Sequence, residues 1–245
     1  MQVKRNEIEF KKYEKKGAYH WGDICRHPKF RNAFVLGRYQ NMLQLLQQTF
    51  PNGAVTRKRV LDVGCGDGAL TYLIAREGFT VSGVDPSELA IRLAKEQITP
   101  LEIEIDFRIA PAQQIPWPDG SFDAVISSDV IEHVSQPRAM LEEIRRVLVP
   151  GGYAVISTPI RYKEFFAPEH VIEWFPQEYE TLIREYFPES RFWKSHPIFL
   201  EELFGISKKA RLMINLISLH RNPFSGFSEK FKYYSLQYSV SKNTE

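Results

Sequence analysis

Cysteine is scarce in this chain: Cys25 and Cys65 are the only two among 245 residues. Two thiols so far apart exclude a disulfide-stapled scaffold, and the expectation that follows is a reducing compartment, the cytoplasm. No apolar run approaches the roughly 18 residues of a membrane span. Met1–Lys16 is too rich in Lys and Glu for a signal peptide. An excess of one charge is lacking too. The 32 Lys and Arg nearly cancel the 30 Asp and Glu, leaving +2, which gives neither nucleic acid nor a membrane much to hold. Internal repeats and low-complexity tracts are absent as well, which excludes solenoids and tail-like segments.

What is present is ordinary globular material, 43% hydrophobic and 25% charged, long enough for one large domain or one domain with an appendage. Its most informative stretch is Val60-Leu61-Asp62-Val63-Gly64-Cys65-Gly66-Asp67-Gly68, followed at a distance by Val84-Asp85. A buried strand, Arg59–Val63, is expected to run into the Gly-rich turn, and the turn to open a helix over Ala69–Glu77. A second strand, Thr80–Val84, then ends in an acid. Glycines let a backbone approach a ligand where a Cβ would collide. The helix N-terminus offers free N–H groups, and a strand-end acid can accept both hydroxyls of a ribose. This is a cradle for a nucleoside with a polar tail. Similar turns hold nicotinamide and flavin dinucleotides, and some are only tight turns.

From residue 59 onward strands and helices alternate. Helical spacing covers Phe30–Phe50, ended by Pro51-Asn52-Gly53, then Ser87–Gln97, Arg138–Val149, Pro176–Phe187 and Leu200–Leu219. Strand-like runs cover Ile103–Ile109, Phe122–Ser127, Tyr153–Ser157, Arg191–Phe199 and Phe231–Val240. Residues 17–28 read as a loop holding the aromatic group Tyr19-His20-Trp21. The alternation predicts an α/β fold, a Rossmann-like parallel sheet with helices on both faces. Ligands of such sheets bind beyond the strand C-termini. The Gly-rich turn, Asp85, Ala110–Gln114 and Ser127–Asp129 all fall on that edge.

Five landmarks occur in order: Val60–Gly68; Val84-Asp85; Ile115–Asp123; Asp129-Val130-Ile131-Glu132-His133-Val134; and Leu141–Pro159 around Pro150-Gly151-Gly152. Together they resemble the class I S-adenosylmethionine-dependent methyltransferases over roughly residues 55–160. The resemblance implies a seven-stranded, mostly parallel sheet with an antiparallel last strand, and S-adenosylmethionine as methyl donor. The organisation expected is a helical lead-in and lid over 1–54, a donor-binding core over 55–160, and the end of the sheet over 161–245 with a substrate-facing helical insertion at about 200–228. By position, Asp62, Gly64, Cys65, Gly66 and Asp85 would hold the donor. Ala112 and Gln113 would reach the adenine, where Pro111 replaces the family's usual acid. Ser127 and Arg38 complete the donor set, Arg38 as the partner of the methionine carboxylate.

Methyl transfer from a sulfonium needs positioning and a deprotonated acceptor. Glu132, His133 and His170 are the candidates for that work. If a helix starts after the fourth strand, Asp129, Glu132 and His133 share one face. With His170 they resemble the divalent-ion sites of ubiquinone-biosynthesis and small-RNA O-methyltransferases, though Asp129 stands where those groups carry Glu. The expected activity is O-methylation of a small-molecule or glycan hydroxyl. RNA 2′-O-methylation is a second reading, disfavoured by the low net charge, and a donor-binding subunit without turnover is a third. Lys208, Lys209 and Arg211 read either as contacts for an anionic substrate or as a solvated helix face.

Overall fold

Arg59–Val63 forms the strand β1, buried from its second residue on. The structure, a computed structural model, describes residues 11–50, 57–161 and 169–244. Residues 1–10 of the expected lead-in, the Pro51-Asn52-Gly53 stop and Pro168 lie outside the described residues. β1 pairs in parallel with β2 (Thr80–Asp85) on one side and β4 (Phe122–Ser128) on the other. β3 (Asp106–Ile109) extends the sheet beyond β2, and β5 (Leu148–Pro159) extends it beyond β4. β7 (Tyr234–Lys242) runs antiparallel to β5 and to β6 (Ser190–Pro197). The seven strands lie in the order β3-β2-β1-β4-β5-β7-β6, the mixed sheet expected from the resemblance.

Alternate residues of the central strands feed two cores, as a pleat requires. Leu61, Val63, Val125, Ala154 and Ile156 pack with Met140, Leu141 and Ile144 of α6 (Pro137–Val147) and with Tyr179 and Ile183 of α7 (Pro176–Tyr186). Val60, Ala124, Ile126 and Val155 face the other way. They meet Met42, Leu45 and Leu46 of α3 (Ala33–Gln48) and Leu70 and Ile74 of α4 (Ala69–Arg76). α5 (Glu88–Ile98) is started by Ser87, whose Oγ accepts the Ala90 N–H at 3.2 Å.

Several boundaries differ from expectation for local reasons. α3 starts at Ala33, not Phe30, because the Asn32 side chain accepts the Val35 N–H and caps it. Residues 17–28 hold a short helix, α2 (Tyr19–Ile24), after α1 (Lys12–Lys16). β5 absorbs Pro150-Gly151-Gly152 rather than starting after it, with an irregular register against β4 between Phe122 and Ala124. The helix expected over Leu200–Leu219 is two helices, α8 (Ile198–Ile206) and α9 (Lys208–Ile217). Ser207 between them is extended, and its Oγ accepts the Ala210 N–H at 3.1 Å, which starts a new helix. Among the described residues no helix is long and apolar enough to cross a membrane.

Candidate active site

The strand order reverses direction between β1 and β4, and a cavity of about 770 Å³ opens beyond their C-terminal ends. This is where an open α/β sheet leaves room for a ligand. Its floor is the Gly-rich turn. Gly64 has φ +73°, and a Cβ there would lie 2.3 Å from Val130. Gly66 has φ +54°, and its Cβ would lie 2.0 Å from the Tyr13 hydroxyl. Both positions need glycine for backbone and for space.

Asp85, at the end of β2, accepts the Gly66 N–H at 3.0 Å on one carboxylate oxygen and the Ser87 N–H at 2.9 Å on the other. Each oxygen keeps a second lone pair for a ligand hydroxyl. Burial raises its pKa, and the two N–H groups oppose that rise. Asp62 accepts the Thr71 hydroxyl at 2.7 Å, and burial pushes its carboxyl up to about 7. Cys65, Ala112 and Gln113 also line the cavity. Ser127 does not. It is fully buried, with its hydroxyl donating to the Val63 carbonyl at 3.1 Å, and its neighbour Ser128 takes the place on the wall. The strand pleat puts one of the two on each face, and the sequence did not say which.

At the other end of the cavity the chain after β4 makes a 3₁₀ turn, Ile131–His133, not the α-helix considered for this stretch. Asp129 sits before it with φ +53°. Its carboxylate is engaged by the Arg38 guanidinium and by the Ser157 hydroxyl at 2.7 Å. Asp129 therefore does not join the other three expected ligands. Arg38 lines the cavity as expected, but its partner there is this carboxylate. Burial works against the Arg38 charge, and Asp129 outweighs it.

Glu132, His133 and His170 do come together, each offering a ligand atom within 4.8 Å of the others. Glu132 is 1% exposed. Its Oε2 accepts the Thr158 hydroxyl at 3.1 Å, while Oε1 accepts no hydrogen bond and lies 3.9 Å from His133 Nε2. Burial and the nearby Asp129 raise its pKa well above the usual carboxylate range. The Glu132 carbonyl accepts the N–H groups of Val171 and Ile172, which ties the His170 loop to this turn. His133 donates Nδ1–H to the Glu169 carbonyl at 2.7 Å. His170 donates Nδ1–H to the Glu173 carboxylate at 2.8 Å. Each ring thus keeps Nε2 as its acceptor atom, the tautomer and orientation that ligating histidines need. Burial lowers the His133 pKa to about 4, so its ring stays neutral in ordinary buffers. A buried, unpartnered carboxylate oxygen beside two correctly tautomerised imidazoles fits a divalent ion.

A third wall comes from the N-terminal helices. Tyr13, Tyr19 and His20 line the cavity. The His20 backbone N–H and ring both donate to Asp67, at 3.0 and 3.2 Å. Trp21, expected beside them, instead donates to the Asp67 carbonyl at 2.7 Å and packs on Tyr72 outside the cavity. Lys12 reaches across to Glu169 at 2.5 Å. Lys208, Lys209 and Arg211 are exposed and do not line the cavity. Asp67, Tyr13 and Glu173 were missed in the sequence. The first stands inside the Gly-rich turn, and the last stands three residues after His170, a spacing that could have flagged it.

Residues 61–156 match the family described as methyltransferase domain. The ubiquinone biosynthesis O-methyltransferase of Agrobacterium fabrum is 35% identical over 134 residues, 51% of this chain and 54% of that protein. The chain thus spans about half the length of the curated relatives it matches. The Haemonchus contortus phosphoethanolamine N-methyltransferase 2, solved with phosphomonomethylethanolamine and S-adenosylhomocysteine, superposes with a TM-score of 0.68 at 22% identity, over 96% of this chain and 58% of that one. The cyclase SpnF superposes with a TM-score of 0.59 at 16% identity, over 83% of this chain and 80% of that one. At such identities the structural likeness establishes the fold, and a fold alone does not fix chemistry.

Proposed function

We propose that this chain, whose residues 61–156 match the methyltransferase-domain family, binds S-adenosylmethionine in the cavity and methylates a hydroxyl of a small molecule or glycan. The observation that carries the reading is one continuous cavity with two chemically distinct ends. At one end Asp85 stands over a turn whose glycines cannot be replaced without collision. At the other end Glu132, His133 and His170 converge. The curated relatives are named O-methyltransferases, which supports a hydroxyl as acceptor.

When bound, S-adenosylmethionine supplies the electrophilic methyl carbon. Asp85 accepts the ribose hydroxyls, while the backbone of Gly64, Cys65 and Gly66 passes the amino-acid tail. Ala112 and Gln113 flank the base. Tyr13, Tyr19 and His20 cover the donor from the N-terminal side and exclude water. The acceptor hydroxyl comes to the Glu132–His133–His170 end, where it must lose its proton. His170 offers Nε2 to take it, because its Nδ1–H is held by the Glu173 carboxylate. His133 is too weak a base for that role, as its pKa is about 4, but a neutral ring is what an ion requires. If Glu132, His133 and His170 instead hold a divalent ion, Nε2 of each ring would be a ligand rather than a base, and the ion would lower the pKa of the hydroxyl.

The test is a survey of acceptors. The protein is incubated with S-adenosylmethionine and a panel of phenols, sugars and nucleosides, and products are read by mass spectrometry. A methyl group on oxygen, with release of S-adenosylhomocysteine, is expected. Absence of any binding of S-adenosylhomocysteine by calorimetry would overturn the assignment at its root. Binding without transfer to any panel member would favour a donor-binding subunit.

A further inference from the structure

Large apolar side chains left in water are concentrated in one place. Among the described residues fourteen are exposed, and ten of these lie between Phe199 and Tyr233, in the insertion between β6 and β7. Each helix of this insertion has two apolar faces. Phe204 of α8 and Ile214 of α9 turn inward and pack with Ala33 and Phe224, and Ile198 at the start of α8 is buried as well. Phe199, Leu203 and Ile206 of α8 turn outward at helical spacing, as do Met213, Leu216 and Ile217 of α9. Ile206 is 75% exposed, and Phe199 and Met213 are each 54% exposed. The Phe199 and Phe231 rings lie 5.0 Å apart, so the face continues from α8 onto the chain that leads into β7.

The outward face is held outward. The Asn215 side chain, fully buried on α9, accepts the Ala33 N–H at 3.0 Å and donates to the Pro28 and Arg31 carbonyls. Arg31 donates to the Ser218 hydroxyl at 2.8 Å and to its carbonyl at 3.1 Å. Rolling α9 to hide Met213, Leu216 and Ile217 would break all of these buried bonds, so the exposure is built in rather than a register that could relax.

The charge around this face is mixed but predominantly positive. Residues 198–233 carry six Lys and Arg against three acids, an excess of three in a chain whose total is only +2. All six cations, Lys208, Lys209, Arg211, Arg221, Lys230 and Lys232, are exposed. An exposed apolar face in an insertion that carries an excess of exposed cations has the composition of an interfacial membrane-binding element. The same excess argues against a second copy of this chain, because an isologous contact would bring together two patches that each carry a net charge of +3.

We propose that the α8–α9 face seats the protein on a bilayer surface rich in anionic lipid. Phe199, Ile206 and Met213 enter the headgroup boundary, and the surrounding Lys and Arg side chains meet phosphate. The face is pinned through Asn215 to Ala33, at the start of the helix that carries Arg38 into the cavity, so the docked surface is tied directly to an element of the cavity wall. The inference stands independently of the proposed methyl transfer.

Co-sedimentation of the full chain with vesicles tests it. Two compositions are compared: phosphatidylcholine alone, and equal parts phosphatidylcholine and phosphatidylglycerol. Binding is expected only to the second, and it should weaken as salt is added. The pair Lys208→Gln and Lys209→Gln should lower partitioning by roughly 30-fold, about fivefold for each cation. Ile206→Ser with Met213→Ser should abolish sedimentation while leaving thermal unfolding and S-adenosylhomocysteine affinity unchanged. If that pair does not fold, the lysine pair alone decides. No sedimentation with anionic vesicles, equal sedimentation with neutral ones, or a lipid-free dimer in sedimentation velocity that Ile206→Ser dissolves would each overturn the proposal.

Discussion

His170 donates its Nδ1–H to the Glu173 carboxylate at 2.8 Å, and this one bond leaves Nε2 as the ring's free acceptor. His133 stands beside it, with ring centroids 5.1 Å apart and nearly perpendicular planes. Glu173 thereby fixes a tautomer without touching a ligand itself. Glu173→Gln keeps the size of the side chain and removes its charge. It should weaken Mn²⁺ binding roughly 10–100-fold, the usual effect of losing a partner behind a ligating histidine. Calorimetric titration with Mn²⁺ measures this. Equal affinity in both proteins would show that Glu173 positions nothing.

Asp85 is the proposed contact for the donor's ribose. Asp85→Ala removes the ribose acceptor and should cost about 1.5–3 kcal/mol of S-adenosylhomocysteine affinity, the range for hydrogen bonds to a charged group. The substitution also strands the Gly66 and Ser87 N–H groups, so calorimetry should be paired with thermal unfolding. Undiminished affinity in a folded variant would exclude Asp85 as the ribose contact.

The donor half of this site was legible in the sequence because it is local. Val60–Gly68 and Asp85 lie at adjacent strand ends, and a strand-turn-helix pattern sets their positions without reference to the rest of the chain. The acceptor half was legible only as residue types. Glu132, His133 and His170 were visible, but the left-handed Asp129 and the 3₁₀ turn after it decide which carboxylate reaches the cluster. Nothing in the spacing announces that Arg38, 91 residues away, claims Asp129. The run Lys208, Lys209 and Arg211 was visible in the sequence, but only the fold shows the exposed apolar side chains that share its insertion.

The proposed role of the N-terminal helices as a cover can be tested at their fastening. A Cβ on Gly66 would lie 2.0 Å from the Tyr13 hydroxyl, so Gly66→Ala must displace Tyr13 and loosen α1. Limited proteolysis should then cut residues 11–28 faster in the variant. In the wild-type protein, S-adenosylhomocysteine should slow that cleavage. Cleavage indifferent both to the variant and to ligand would mean that the segment is packing rather than a cover.

Asp62 predicts a pH dependence of stability in the ligand-free protein. Burial chiefly pushes its folded pKa up to about 7, and Asp85 adds to the rise; an unfolded aspartate titrates near 4. Between these values the folded state holds the extra proton, so stability is full below about pH 4 and falls as pH rises through about 7. Asp62→Asn keeps an acceptor for Thr71 and removes the titration. At about pH 8 the variant should be more stable by roughly 2–4 kcal/mol, with no advantage near pH 4. Urea unfolding at the two pH values measures the difference, and a difference independent of pH would assign the effect to packing.

The last prediction separates an ion from a plain base at the acceptor end. Both use neutral imidazole, so both lose activity as pH falls and pH alone cannot choose between them. Geometry favours the ion in one respect: Glu132 Oε1 is buried without a hydrogen bond, a state that costs about 1–3 kcal/mol unless something occupies it. A base mechanism leaves that cost unanswered, whereas an ion uses the oxygen as a ligand. Methyl transfer to an acceptor found in the panel should therefore stop in excess chelator and return with Mn²⁺. Binding of Mn²⁺, followed separately, should weaken as pH falls and the imidazoles protonate. His133 itself holds out until the pH nears its pKa of about 4. Glu132→Gln should abolish Mn²⁺ binding yet leave a base-only reaction largely intact. Full turnover in chelator, with no metal in the purified protein, would assign the proton to His170 alone and leave Glu132 a buried carboxyl kept neutral by its surroundings.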